Sequence, residues 1–179
     1  MTSWISDFTD GNGAQRELLG GKGAFLAEMT RMGLEVPPGF TVTTDACRHV
    51  MEYGSAPPEM WGQVDAAISR LEVATGRNFG SGPTPLLVSV RSGAKFSMPG
   101  MMDTVLNLGI NPRVIEDLIT WSGDAHFAQD AHRRFLQMYA KVVLGIDDHR
   151  FEETLAELRT QKGVADDSEL SADDLAEAA

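Results

Sequence analysis

The sequence predicts an α+β fold: a mixed or antiparallel sheet with helices packed on it, followed by a helical C-terminal segment. Three observations carry this. Short runs rich in apolar and β-branched residues (4–8, 40–43, 85–91 and 105–108) alternate with stretches of helical periodicity through the first 110 residues. From Asn111 onward only helical periodicity recurs. Hydrophobic residues make up 42% of the 179, which supports a packed core rather than a disordered chain. The predicted division is residues 1–110 and residues 111–179.

The elements follow in order. Residues 4–8 read as a short strand with Trp4 and Phe8 on the same side. Gly20-Gly21-Lys22-Gly23 opens a helix reaching about Met32, with Phe25, Met29 and Met32 as its apolar stripe and Gly33 as its stop. Pro37-Pro38-Gly39 is a turn before the strand at 40–43. Thr44 or Asp45 can cap a short helix that ends near Gly54 and carries Cys47 as a small core residue. Pro57-Pro58 introduces a longer helix lined by Met60, Trp61, Val64, Ile68 and Leu71, ended by Gly76.

Residues 85–91 are the clearest strand, a nearly unbroken apolar run that suits a central strand buried on both sides. Residues 105–108 form the next. Asn111-Pro112 is an N-cap with proline at the first helical position, and Gly123 follows that helix. Asp124 can cap the next helix, with Phe127, Ala131, Phe135, Met138 and Val142 on one side and Gly145 at its end. A charged helix covers about 148–161, and residues 163–170 are a loop. Ser171-Ala172-Asp173-Asp174 is a capping box with Ser171 as N-cap and Asp174 three residues on. About two turns are too few for a stable isolated helix, which predicts that the chain is the front piece of a longer protein.

Charge excludes several classes. The formal net charge is −11, and residues 147–179 supply −8 of it from eleven acids and three bases. Those acids read as a solvated face. No basic stripe supports nucleic-acid binding. The single cysteine allows no intrachain disulfide and no thiolate metal cluster. No signal peptide and no long apolar span is present, so a cytoplasmic location and no membrane partner are expected. His49, His126, His132 and His149 show no metal-ligand spacing with carboxylates, and surface or satisfied packing roles are expected for all four.

Two stretches carry chemistry. In "LLGGKGAFLAEM" three glycines surround Lys22 where a helix begins. A cation there is opposed by the helix dipole, whereas a bound anion would meet both free N–H groups and the lysine. Glycines let backbone approach such an anion closely. The run is either a phosphate cradle or a glycine-rich helix entrance with a solvated lysine. It is not a Walker A loop, because Gly23 stands where Ser or Thr is needed.

The second stretch is "SVRSGAKFSMPGMMDTVLNLG". Arg91 ends a strand whose body is predicted to be buried, so it needs an anionic partner from the protein or from a ligand. The turn at Gly100-Met101-Met102 could fold over a bound group with N–H donors aimed inward, or could be a surface loop packed on its methionines. Met98, Met101 and Met102 could also line a slot for a flat ring. Asp103 and Thr104 could bind phosphate or cap the next segment.

Taken together, "ELLGGKGAFLAEM", "VPPGFTVTTDAC", "VSVRSGAKFSMPGMMDTVLNLG" and "RRFLQMYAKVV" resemble the N-terminal nucleotide-binding domain of the pyruvate, phosphate dikinase family. The resemblance covers essentially the whole chain, and the central block is specific. It implies an ATP-grasp-like fold, of which this chain holds the first part: residues 1–110 as a subdomain with two phosphate loops, residues 111–179 as a helical segment. It implies ATP and Mg2+ as cofactors. Lys22 and Arg91 are the implied catalytic cations, and Gly21, Lys22, Arg91, Gly100, Met101 and Thr104 the implied nucleotide-binding set.

The family reaction converts ATP, phosphate and pyruvate to AMP, pyrophosphate and phosphoenolpyruvate, through a histidine on a swivelling domain. That domain, the second ATP-grasp subdomain with the metal ligands and the pyruvate-binding barrel are expected as partners outside this chain. The whole enzyme is expected to be a homo-oligomer, and this chain alone to be inactive. The competing expectation is a free-standing regulatory or interaction module that kept the fold and lost catalysis.

Overall fold

The computed structural model describes residues 2–93, 104–147 and 149–179. They form two compact units, residues 2–76 with 92–93, and residues 77–91 with 104–179. The predicted division after residue 110 falls inside the second unit.

The first unit runs β1 (Ile5–Asp7), α1 (Arg16–Arg31), β2 (Phe40–Val42), α2 (Thr44–Tyr53) and α3 (Pro58–Thr75). β1 and β2 pair antiparallel, Ile5 opposite Val42 and Asp7 opposite Phe40. Ile5 is the inward residue of β1 and packs with Ala46 of α2 and with Met60 and Ala67 of α3. Trp4, Phe40 and Val64 close over that cluster. Asp7 receives Arg70 through two hydrogen bonds of 2.6 and 2.9 Å, which ties β1 to α3.

The second unit runs β3 (Asn78–Phe79), β4 (Pro85–Leu86), β5 (Val88–Arg91), β6 (Thr104–Leu108), α4 (Pro112–Ser122), α5 (Ala125–Val142), α6 (His149–Lys162), a 3-10 turn (Asp167–Glu169) and α7 (Ala172–Glu177). β3 pairs parallel with β4, and β5 pairs antiparallel with β6. Ile110, Val114, Ile115 and Leu118 pack against Ala128 and Ala131, so α4 and α5 share one core. The Asn111 side chain caps α4 by accepting from Val114 N at 3.0 Å, and its amide donates to Gly80 O. The Asp124 side chain caps α5 through Phe127 N. Both caps are those the sequence predicts. Among the described residues no helix is long and apolar enough to cross a membrane.

The capping box closes in both directions: Asp174 N donates to Ser171 Oγ, and Ser171 N to Asp174 Oδ2. A helix as short as α7 does not hold itself in water. Leu175 is fully buried among Leu155, Leu158, Leu170 and Ala178, a burial worth roughly 1.5–3 kcal/mol. Tertiary packing is what makes α7 a helix.

Several expectations fail on burial. The buried face of α1 is Leu19, Gly20, Gly23, Ala24 and Ala27, whereas Phe25 is 62% exposed and Met32 also faces out. Close approach of β2 selects the small-residue face over the large one. A methyl on Gly23 would lie 2.7 Å from Thr41 Oγ1. Trp61 is 58% exposed because α3 packs through Met60 and Ala67. Cys47 is exposed, since α2 turns Ala46 to the core and its neighbour away from it. On α5 the buried positions are Ala128, Ala131, Arg133 and Ala140, and Phe127 is exposed.

The run 85–91 is two strands rather than one. Pro85 and Leu86 are buried, and Ser89, Val90 and Arg91 are exposed. Its continuous apolar character reflects helices packed on its first half. Each sheet has two strands, so no central position covered on both faces exists among the described strands.

Candidate functional site

α1 starts four residues before the predicted opening, at Arg16, and is broken at Gly20. That residue has φ 67 and ψ 173, a region open essentially only to glycine. The regular helical path is interrupted there, and a second helical stretch starts after it. The glycine run therefore does make a helix entrance, inside α1 rather than at its end, with Gly21 and Lys22 on its first turn. Lys22 is half-buried and makes no ion pair or hydrogen bond with a described residue. An uncommitted ammonium at the start of a helical stretch is chemistry that suits an anion.

The segment is held on two sides. Thr41 of β2 abuts Gly23. The Thr44 hydroxyl at the start of α2 donates to the Glu17 carbonyl at 2.5 Å, in the turn ahead of the break. A cleft of about 300 Å³ lies where the two helices begin, lined by Arg16, Glu17, Thr44 and Arg48. Arg48 is paired with Asp45. Ahead of the helix, Gly13 N donates to Glu28 Oε2 and Arg31 bonds both Glu28 oxygens. The Arg31 guanidinium, then the Gly13 N–H, hold the Glu28 carboxyl down at about 2.

In the second unit, Arg91 ends β5 directly across from Thr104. It is exposed, and no described carboxylate pairs with it. The expected burial of the strand around it is thus absent, and its guanidinium stands in solvent. The register between β5 and β6 slips between Val88 and Val90, where two residues of β5 span three of β6. Asn107 absorbs the extra residue at φ 59, which asparagine tolerates better than most residues. Its amide donates to Ala131 O at 3.1 Å, fastening the bulge to α5. The sequence reading missed this anchor; its one signal is an asparagine two residues before Gly109 in the otherwise apolar run 105–108.

Gly100 and Met101, with Met98, Met102 and Asp103, lie outside the described residues. The structure sets Arg91 beside Thr104; Gly21 and Lys22 stand in the other unit. Among the described residues no group of three His, Cys, Asp or Glu could hold a metal ion. His49 contacts the Trp4 and Tyr53 rings and the Ser55 carbonyl, and His149 lies 3.2 Å from Glu153. Burial holds His132 below the usual imidazole range. His126 departs from expectation, because its buried Nε2 has no partner among the described residues.

Comparison with known proteins supplies the class, an AMP/ATP-binding domain, and then makes it particular. Residues 16–60, which span the broken helix, β2 and α2, match the family model described as "Pyruvate phosphate dikinase, AMP/ATP-binding domain". The chain is 48% identical to pyruvate, phosphate dikinase of Clostridium symbiosum over 100% of this chain and 21% of that protein. It is 50% identical to the Rhizobium meliloti (strain 1021) enzyme of that name, over 96% of this chain and 20% of that one. It is 51% identical to pyruvate, phosphate dikinase 2 of Zea mays, over 94% and 19%. The chain belongs to the pyruvate, phosphate dikinase family, as its N-terminal AMP/ATP-binding part. It spans about a fifth of the length of the curated relatives it matches.

Proposed function

We propose that this chain is the ATP-binding N-terminal part of a pyruvate, phosphate dikinase, and that its architecture is the first portion of an ATP-grasp-like domain. The whole enzyme would convert ATP, phosphate and pyruvate to AMP, pyrophosphate and phosphoenolpyruvate, using a phosphohistidine, a second ATP-binding subdomain and a pyruvate-binding barrel outside this chain. The observation that carries the reading is identity near 50% over essentially the whole chain with enzymes of that name. It favours a working nucleotide domain over a free-standing module that lost catalysis. A single exposed cysteine is compatible with the cytoplasm.

In this reading Lys22 and Arg91 are fixed cations for the triphosphate, with Gly21, Gly100, Met101 and Thr104 as close backbone and hydroxyl partners. Neither cation is a general base. A permanently charged guanidinium on a paired strand, and an ammonium at the start of a helical stretch, stabilise charge that develops on a transferring phosphoryl group. Magnesium would neutralise further phosphate charge in the whole enzyme.

The test is Arg91→Ala and Lys22→Ala in the full-length enzyme. Each should lower ATP-dependent phosphoryl transfer by about 10²–10³-fold. Arg91 is exposed and strands no described carboxylate when removed, so the melting temperature should hardly move. Near-normal transfer by both variants would refute the site assignment.

A further inference from the structure

We infer that Thr44, on the neighbouring helix, is a positioning residue for the Lys22 segment; this rests on the nucleotide reading of Lys22 above. The break at Gly20 splits α1 into a short leading turn and the long stretch that carries Lys22. Two contacts set the angle between these pieces. Thr41 Oγ1 and Cγ2 lie where a Gly23 side chain would stand, 2.7 and 2.9 Å from an ideal Cβ, so β2 backs directly onto the stretch after the break. The Thr44 hydroxyl bonds the Glu17 carbonyl at 2.5 Å, in the turn before it.

That carbonyl is the one a continuous helix would have given to Gly21 N. Thr44 brings a side-chain donor to that carbonyl from a neighbouring helix and ties the leading turn to α2. Thr44 does not cap its own helix: Thr43 is the N-cap residue, and no side chain there bonds the α2 backbone. Its hydroxyl is spent on α1. Thr41 and Thr44 come from one short segment, so the β2–α2 junction grips both sides of the break and fixes where the stretch that carries Lys22 points. Loss of one grip lets the pieces pivot about a glycine with nothing within 4 Å of its Cβ position. A displacement of about 1 Å in a positioning element costs up to roughly 10²-fold in rate.

The experiment is steady-state kinetics on the full-length enzyme with Thr44→Val, Thr44→Ser and Lys22→Ala, each with a melting curve. Valine keeps the shape and removes the donor; serine keeps the donor. Thr44→Val should raise KM for ATP about tenfold, leave KM for pyruvate unchanged, and lower the melting temperature little, since water reaches this exposed hydrogen bond. Thr44→Ser should restore the ATP value. Equal ATP kinetics for the valine and serine variants would overturn the inference. So would a valine defect that falls equally on ATP and pyruvate with a lowered melting temperature, the mark of a structural role. If Lys22→Ala is impaired while Thr44→Val is normal, only the positioning inference falls; if Lys22→Ala is itself normal, the nucleotide reading falls and takes this inference with it.

Discussion

Gly20 and Gly62 both sit inside helices, and both have open space where a Cβ would be built. Alanine at the two sites should nevertheless have opposite effects. Gly62 lies in the body of α3 with ordinary helical geometry, so Gly62→Ala removes unfolded-state freedom and adds a better helix former. The gain should be about 0.5–1 kcal/mol. Gly20 is at φ 67 and ψ 173. Alanine there either holds a conformation costing roughly 1–3 kcal/mol, or straightens α1 and pulls it off Thr44 and Thr41. The unfolded-state gain of about 0.4–1 kcal/mol offsets only part of that. At about 2–4 °C per kcal/mol for a chain of this size, Gly62→Ala should raise the melting temperature by roughly 1–4 °C. Gly20→Ala should lower it by a few degrees. Circular dichroism melts of the two variants beside the parent protein decide the matter. A Gly20→Ala protein as stable as Gly62→Ala would show that the break in α1 is not a conformational constraint, and the account of Lys22 at a helix entrance would fail with it.

Asn107→Ala should cost about 1–2 kcal/mol in denaturant unfolding, because it loses both a residue suited to positive φ and the donor to Ala131 O; an unchanged midpoint would remove the bulge from the forces that hold β6 on α5. Acid should destabilise the fold in two windows. Burial depresses His132, so the unfolded chain takes up its proton first, and stability falls as pH drops below about 6.5. Glu28, held down chiefly by Arg31, and Asp174, held down chiefly by Lys162, each titrate at about 2 in the folded chain. Their contributions are complete above the ordinary carboxylate range near 4 and are lost as pH falls towards 2. In Asp174→Asn the loss between pH 4 and 2 should be shallower, by titration of urea midpoints against pH. An equally steep loss would mean that the Lys162–Asp174 ion pair, 2.5 Å long, does not tie α6 to α7.

Signals that act within a few residues were legible in the sequence alone. The caps at Asn111 and Asp124 and the capping box at Ser171 each rest on a side chain and a backbone group three residues apart. Gly54, Gly76 and Gly123 follow their helices as expected. The glycines around Lys22 marked a helix entrance, and the resemblance of four motifs marked the family. What tertiary structure decided is which face of each element is covered. Phe25 and Met32 form the larger apolar stripe of α1, yet the glycine-alanine face is buried because β2 approaches closer than a large side chain allows. Periodicity reports that a face is apolar, and the neighbour selects among such faces by distance. Arg133 shows the same limit from the other side. It is buried at 5% exposure on α5 because Asp130 and Gln137, within one turn, satisfy its guanidinium. The break at Gly20 needed both levels. The sequence made a glycine available, and the tertiary structure sets Thr41 and Thr44 on either side of the point where that glycine leaves the helix.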